Sequence, residues 1–189
     1  MTEHEQYFSY LRQRSALGSI YRRYFLYPRI NSRLKGRMLD VGCGIGDMLA
    51  FRPNSVGADV NSRNVDYCNQ IGLDAVVMAT NCLPFDYASF DSVLMDNVLE
   101  HIDEPAPLLA EIRRVLKPGG ILMIGVPGIR GWATDDDHKI FYDKALLHEC
   151  LENNGYEIKE FFYTPLMQSE ALSRKIKQYC IFCIASPKK

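Results

Sequence analysis

No apolar run in the chain approaches the roughly 20 residues that a membrane-spanning helix requires, which excludes an integral helical membrane protein. No basic stretch followed by an apolar one opens the chain either; Met1-Thr2-Glu3-His4-Glu5-Gln6 is polar, so secretion is not expected and the cytoplasm is. Internal repeats, low-complexity tracts and Pro- or Gly-rich linkers are also missing. With 189 residues the chain can bury one substantial core and is short for two, so a single domain is expected over 1–189. The formal net charge is only −1. No continuous basic patch with interleaved stacking aromatics stands out, so nucleic acid is not an expected partner.

What is present is globular in character, 47% hydrophobic and 24% charged. Six cysteines in a chain without an export signal are read as reduced thiols. Cys180-Ile181-Phe182-Cys183 has the spacing of a redox pair, yet it falls in an apolar strand-like run, where residues three apart point to opposite faces. The small net charge hides an asymmetry. Residues 1–37 carry eight Lys or Arg against two Glu, leaving fourteen basic and twenty-one acidic residues beyond. Such a basic segment fits an anionic substrate, a phosphate-bearing lipid or an acidic membrane surface, and equally a solvated helix face. Arg12, Arg14, Arg22, Arg23, Arg29 and Arg33 are too dispersed for a nuclear or RNA-binding tract.

The first thirty-six residues interleave aromatics with arginines at helical spacing, as in Tyr7-Phe8-Ser9-Tyr10-Leu11-Arg12, and Pro28 is expected to end one helix. Strand and helix signals then alternate. Strands are placed near 37–41, 54–59, 73–78, 90–96, 120–126, 156–163 and 178–185, helices near 46–51, 61–71, 105–117 and 143–154. Alternation of this kind predicts an α/β fold with a mostly parallel sheet covered by helices on both faces.

The most informative stretch is Leu39-Asp40-Val41-Gly42-Cys43-Gly44-Ile45-Gly46, an apolar strand running into glycines at every second position. Glycine permits a tight loop that a ligand can approach closely. An acidic residue, Asp59, closes the next apolar run, Ser55-Val56-Gly57-Ala58-Asp59, where a carboxylate can take both hydroxyls of a ribose. A helix N-cap is the alternative role for Asp59. A dinucleotide site would carry G-x-G-x-x-G; this loop reads D-x-G-x-G-x-G.

From Leu39 onward the sequence resembles the class I S-adenosyl-L-methionine-dependent methyltransferases. The resemblance rests on the glycine loop followed, in order, by Leu83-Pro84-Phe85, Phe90-Asp91-Ser92-Val93, Asn97-Val98-Leu99-Glu100-His101 and Arg114-Val115-Leu116-Lys117-Pro118-Gly119-Gly120. It implies a Rossmann-like seven-stranded sheet with an antiparallel last strand, the segment 1–36 forming a helical cap or lid over a 37–189 core. It also implies sites for the cofactor. Asp40, Gly42, Cys43 and Gly44 would line the methionine portion, Asp59 the ribose, Val60 and Asn61 the adenine. Asp96 and Asn97 would flank the methionine end and face the acceptor. The chain departs from the pattern at Ala79, where many relatives place an aspartate on the adenine amino group; Thr80, Asn81 or backbone groups would then do that work, with the segment Asn81-Cys82-Leu83-Pro84 still beside the adenine.

Methyl transfer from an activated sulfonium asks the protein to position the acceptor and, for a hydroxyl, to remove its proton. His101 and His138 are the candidate bases, both in loops at the carboxyl ends of strands, with Tyr142 and Asp137 in support of His138. For His101, local hydrogen bonding is the competing role. Ubiquinone-pathway O-methyltransferases and metal-using small-RNA 2′-O-methyltransferases are similar in having a Glu-His pair here, which makes Glu100, His101 and His138 a divalent-cation set to weigh. Asn97 stands where the metal-using RNA enzymes carry a further carboxylate, and no metal ligand is assigned. The N-terminal Arg-Tyr segment, Val126-Pro127-Gly128 and the Asp-His-Lys-x-Phe-Tyr loop resemble small bacterial methyltransferases of sugar and surface-polysaccharide biosynthesis. That resemblance implies a small-molecule acceptor, a sugar or saccharide hydroxyl, possessing in some cases a phosphate linkage. The competing reading is a cofactor-binding module without turnover. An open polar pocket ringed by Arg23, His101 and His138 would favour the enzyme.

Overall fold

The computed structural model describes residues 3–12 and 15–188, without the side chains of residues 3, 4, 6, 7 and 10. Arg14, and the Tyr7 and Tyr10 rings expected in a lid, therefore lie outside the described portion. In chain order the N-terminal helices α1 (Glu3–Arg12) and α2 (Ala16–Tyr21) lead through a π-helical turn (Arg22–Leu26) to α3 (Tyr27–Asn31). The core follows as β1 (Met38–Val41), α4 (Asp47–Phe51), β2 (Ser55–Asp59), α5 (Ser62–Gln70), β3 (Ala75–Val77), β4 (Phe90–Asp96), a 3₁₀ turn (Leu99–His101) and α6 (Ala106–Val115). Then come β5 (Leu116–Pro127), α7 (Ile129–Trp132), α8 (Lys144–Asn153), β6 (Tyr156–Thr164), α9 (Glu170–Lys175) and β7 (Cys180–Pro187).

The seven strands form one sheet in the order β3-β2-β1-β4-β5-β7-β6. β1 pairs in parallel with both β2 and β4, whereas β7 runs antiparallel between β5 and β6. The sheet is thus mostly parallel with an antiparallel last strand, as the alternation and the resemblance implied. Chain order reverses across β1 and β4, and such a switch point opens a crevice beyond the carboxyl ends of the strands.

Side-chain alternation sends each strand's residues to two cores. Leu39, Val41, Val93, Met95, Leu122 and Ile124 pack with Leu108, Leu109 and Ile112 of α6 and Leu147 and Leu151 of α8. Met38, Leu94, Met123 and Phe182 face the other way, against Ile30 of α3, Met48 and Leu49 of α4, and Val65 and Cys68 of α5. Helices therefore cover both faces. Cys180 and Cys183 fall into different cores, which separates them as their strand spacing predicted.

Two sequence expectations are corrected. Pro28 does not end a helix; it sits in the first turn of α3, preceded by the wider π turn, where its missing N–H costs little. The helix expected to reach residue 117 stops at Val115, and β5 begins at Leu116 rather than near 120, paired with Phe90. Pro118 disfavours helical geometry at Lys117, so the chain has already turned extended.

Candidate functional site

A cavity of about 1010 Å³ lies at the switch point, beyond the carboxyl ends of β1, β2 and β4. Each of these strands delivers an aspartate to it: Asp40, Asp59 and Asp96. The glycine loop forms one wall. Gly42 and Gly44 hold φ of +74° and +53°, the left-handed region that side chains disfavour. A Cβ on Gly42 would sit 2.4 Å from Val98 Cγ2, so the loop can pack beneath the Asn97-Val98 turn only as glycine. Asn97 itself turns the chain out of β4 with φ of +55°, a conformation asparagine tolerates.

The Asp59 carboxylate ties the two βα loops together. Its Oδ2 accepts from Gly44 N at 2.8 Å and its Oδ1 from Asn61 N at 2.8 Å. The N-cap of α5 is Asn61, whose side chain accepts from Arg63 N, so Asp59 is left to serve the loop and the cavity. Asp40 is 5% exposed, and its carboxyl is held well above the ordinary carboxylate range, first by burial and then by Asp96 and Asp59. So many carboxylates around one cavity call for a cationic guest.

Of the cofactor residues expected from sequence, Asp40, Gly42, Cys43, Gly44, Asp59, Val60, Asn61, Asp96 and Asn97 all line this cavity. Asn81 and Cys82 do not; they lie exposed on the loop closed by the Ala79–Cys82 bridge. Sequence reasoning did not single out Asp47, Met48, Lys139, Lys177 or Gln178, which also line it. These reach the cavity from α4 and from loops distant in sequence, so no motif announces them. The N-terminal helices contribute Leu11, Ser15, Gly18, Tyr21, Arg22 and Leu26, and Arg22 pairs with Asp47 at 3.5 Å across the cavity wall. Arg22 thus stands where Arg23 was expected; Arg23 is exposed and is not among the lining residues.

Beyond Asp96 the wall changes character. His101, Asp137 and Lys139 line the cavity, and His138 lies behind His101 with the ring centroids 4.7 Å apart. The loop carrying His138 is pinned to the 3₁₀ turn because Lys139 N and Ile140 N both donate to the Glu100 carbonyl, at 2.7 and 3.1 Å. His138 Nδ1 lies 2.7 Å from the Trp132 carbonyl oxygen. A carbonyl only accepts, so Nδ1 carries a proton, and Nε2 faces Glu100 Oε1, 3.8 Å away. Glu100 is fully buried, and neither of its carboxyl oxygens has a hydrogen-bond partner among the described residues. Burial pushes its pKa up to about 8. His101 is held below the usual imidazole value by burial and by His138, which keeps it neutral and available as base or ligand. Donor atoms of Glu100, His101 and His138 lie within 4.8 Å of one another. An orphaned buried carboxyl, two imidazoles, and a second nitrogen anchored to a backbone carbonyl fit the donor chemistry of a divalent cation.

Residues 39–124 match the family model of the methyltransferase domain. Among curated proteins, the chain is 29% identical over 167 residues to a ubiquinone biosynthesis O-methyltransferase of Roseobacter denitrificans, covering 72% of this chain and 67% of that one. It is 32% identical over 92 residues to an uncharacterized protein of Methanocaldococcus jannaschii, covering 49% and 45% respectively. The chain spans about half the length of the curated relatives it matches, from 29% to 58% across three of them. A solved Haloferax volcanii chain from a complex with the Trm112 methyltransferase activator superposes with a TM-score of 0.78 at 18% identity, covering 100% of this chain and 99% of that one. A SAM-dependent methyltransferase of Thermotoga maritima superposes with 0.76 at 19% identity, covering 100% of both. At these identities the structures establish the fold.

Proposed function

We propose that this chain, which carries a methyltransferase domain on the fold of the S-adenosylmethionine-dependent methyltransferases, binds S-adenosylmethionine and methylates a hydroxyl of a small acceptor. The observation that carries the reading is the set of strand-end carboxylates, Asp40, Asp59 and Asp96, around one glycine-walled cavity. S-adenosylmethionine brings a sulfonium and an ammonium, and when bound it supplies an already activated methyl group. Asp40 and Asp96 face those charges, Asp59 takes the ribose hydroxyls, and Val60 and Asn61 border the adenine. The Gly42–Gly44 backbone admits the methionine portion because no side chain intervenes. At about 1010 Å³ the cavity stands at the upper end of ordinary ligand sites, roughly 300–1,000 Å³, which leaves room for an acceptor beside the cofactor.

The acceptor side is polar, with His101, Asp137, Lys139, Lys177 and Gln178. This lining supports a hydroxylated acceptor of the sugar or saccharide class, with the two lysines suited to an anionic group. His101 contacts the acceptor, while His138 and Glu100 stand behind it. A divalent cation would be held by Glu100, His101 and His138, and when bound it would lower the pKa of an acceptor hydroxyl. The N-terminal helices act as the cap, through Tyr21 and Arg22.

Calorimetry with S-adenosylmethionine, S-adenosylhomocysteine and NAD tests the cofactor assignment. Binding of the first two alone is expected, followed by methyl transfer to hydroxylated sugars screened with and without divalent metal. Binding of NAD, or of none of the three, would overturn it.

A further inference from the structure

The helical run that supplies the cap has a second face. Ser15, Gly18, Tyr21, Arg22 and Leu26 turn toward the cavity. On the opposite side Leu17, Ile20 and Tyr24 point into solvent, 79%, 54% and 74% exposed. Spacings of three and four residues put these three on one helical stripe, with Arg23 exposed beside them. Large apolar side chains clustered in this way on an outer face mark a contact surface. Arg23 is the exposed cation beside the stripe, whereas Arg22 and Arg33 are paired with Asp47 and Glu160; along the sequence the segment's charge is of one sign. From Gln6 to Leu39 the chain has eight Lys or Arg and not one Asp or Glu.

We propose that this stripe is a docking surface for an anionic membrane, the helix lying in the interfacial plane with Leu17, Ile20 and Tyr24 inserted among the headgroups. An interfacial helix needs an apolar face for insertion and flanking cations for the negative surface potential, and Ala16–Asn31 supplies both. Arg23 beside the stripe keeps its head at the headgroups while its stem follows the apolar face. A second copy of the chain fits the same stripe poorly, because pairing would bring two segments without a single acidic residue against each other. The cap's inner face lines the cavity, so docking of its outer face sets the cavity beside the bilayer, where a lipid-linked or membrane-dissolved acceptor is at hand.

The test is co-sedimentation of the full chain with phosphatidylcholine vesicles, with and without about three parts in ten of phosphatidylglycerol. Binding to the anionic vesicles alone is expected, weakening as salt is raised. The combined variant Leu17→Asp, Ile20→Asp, Tyr24→Asp should lose at least about tenfold in vesicle affinity while keeping its affinity for S-adenosylmethionine, since none of the three lines the cavity. Tyr24→Trp, which leaves the stripe apolar, gives an independent readout: its emission should move to the blue on anionic vesicles and stay put on neutral ones. No binding by the unaltered chain would overturn the proposal, as would full binding by the triple variant or an unshifted Tyr24→Trp spectrum. A dimer held by the stripe in place of vesicle binding would overturn it too.

Discussion

His138 Nε2 lies 3.8 Å from Oε1 of Glu100, too far for a hydrogen bond. Metal–ligand bonds of about 2.0–2.2 Å set neighbouring donors about 2.8–3.6 Å apart, so this pair stands a few tenths of an ångström wider than it would around a bound ion. The buried carboxyl without a hydrogen-bond partner is the stronger half of the relationship, since leaving such a group unpaired costs about 1–3 kcal/mol. Calorimetry with Mn²⁺, Mg²⁺ and Zn²⁺ should therefore register binding to the unaltered chain. Glu100→Gln and His138→Ala should each weaken it at least about tenfold, or about 1.4 kcal/mol. His148, exposed on α8, serves as the control: His148→Ala should leave metal affinity unchanged.

Asp59→Ala should weaken S-adenosylmethionine at least about tenfold. The substitution removes the ribose carboxylate and frees Gly44 N and Asn61 N, whose bonds to Asp59 set the geometry of both loops. Titration calorimetry checks it, with the thermal midpoint as a fold control. Unchanged affinity would sink the ribose assignment.

Asp40 gives the site a pH dependence with a definite sign. Its carboxyl is held well above the ordinary carboxylate range by burial, Asp96 and Asp59, so the unliganded protein retains that proton at a pH where a free carboxylate has lost it. A cationic ligand favours the ionised form. Affinity for S-adenosylmethionine should therefore rise with pH until Asp40 ionises unaided, with a shallower slope for S-adenosylhomocysteine, which lacks the sulfonium. The same shift makes the unliganded fold lose stability as pH rises above the unfolded value, and ligand should offset that loss. Asp40→Asn should flatten the affinity profile above the ordinary carboxylate range; an unaltered slope would remove Asp40 from this role.

Gly42→Ala should destabilise the loop by about 1–3 kcal/mol, from the left-handed φ of +74° and from the new Cβ set 2.4 Å from Val98 Cγ2. Val98→Ala relieves the second cause and not the first. The double variant should recover part of the thermal midpoint and part of the S-adenosylmethionine affinity, a coupling read by a double-mutant cycle.

Most of the order of elements was legible from residues 37 to 189 because strand and helix periodicity is a local property: all seven strands appear near where alternation placed them, with β5 starting early at Leu116, while the short helices α7 and α9 carry too few residues to show a period. The glycine loop and Asp59 were legible for the same reason, since a φ beyond the reach of side chains and a carboxylate at a strand end are written in short segments. Pro28 misled because a proline ends a helix only when its missing N–H and its ring meet regular α geometry, and here the preceding π turn removes that conflict. What sequence alone could not decide was which distant residues meet. Glu100 is adjacent to His101 in the chain, yet its side chain is buried against His138 because the 135–142 loop is pinned back onto the 3₁₀ turn by backbone bonds to the Glu100 carbonyl. Likewise only packing of the N-terminal helices on the sheet turned Arg22 inward and left Leu17, Ile20, Arg23 and Tyr24 outward. Helical spacing fixes which of these residues share a face; burial against Met38, Leu94 and Phe182 decides which face is hidden.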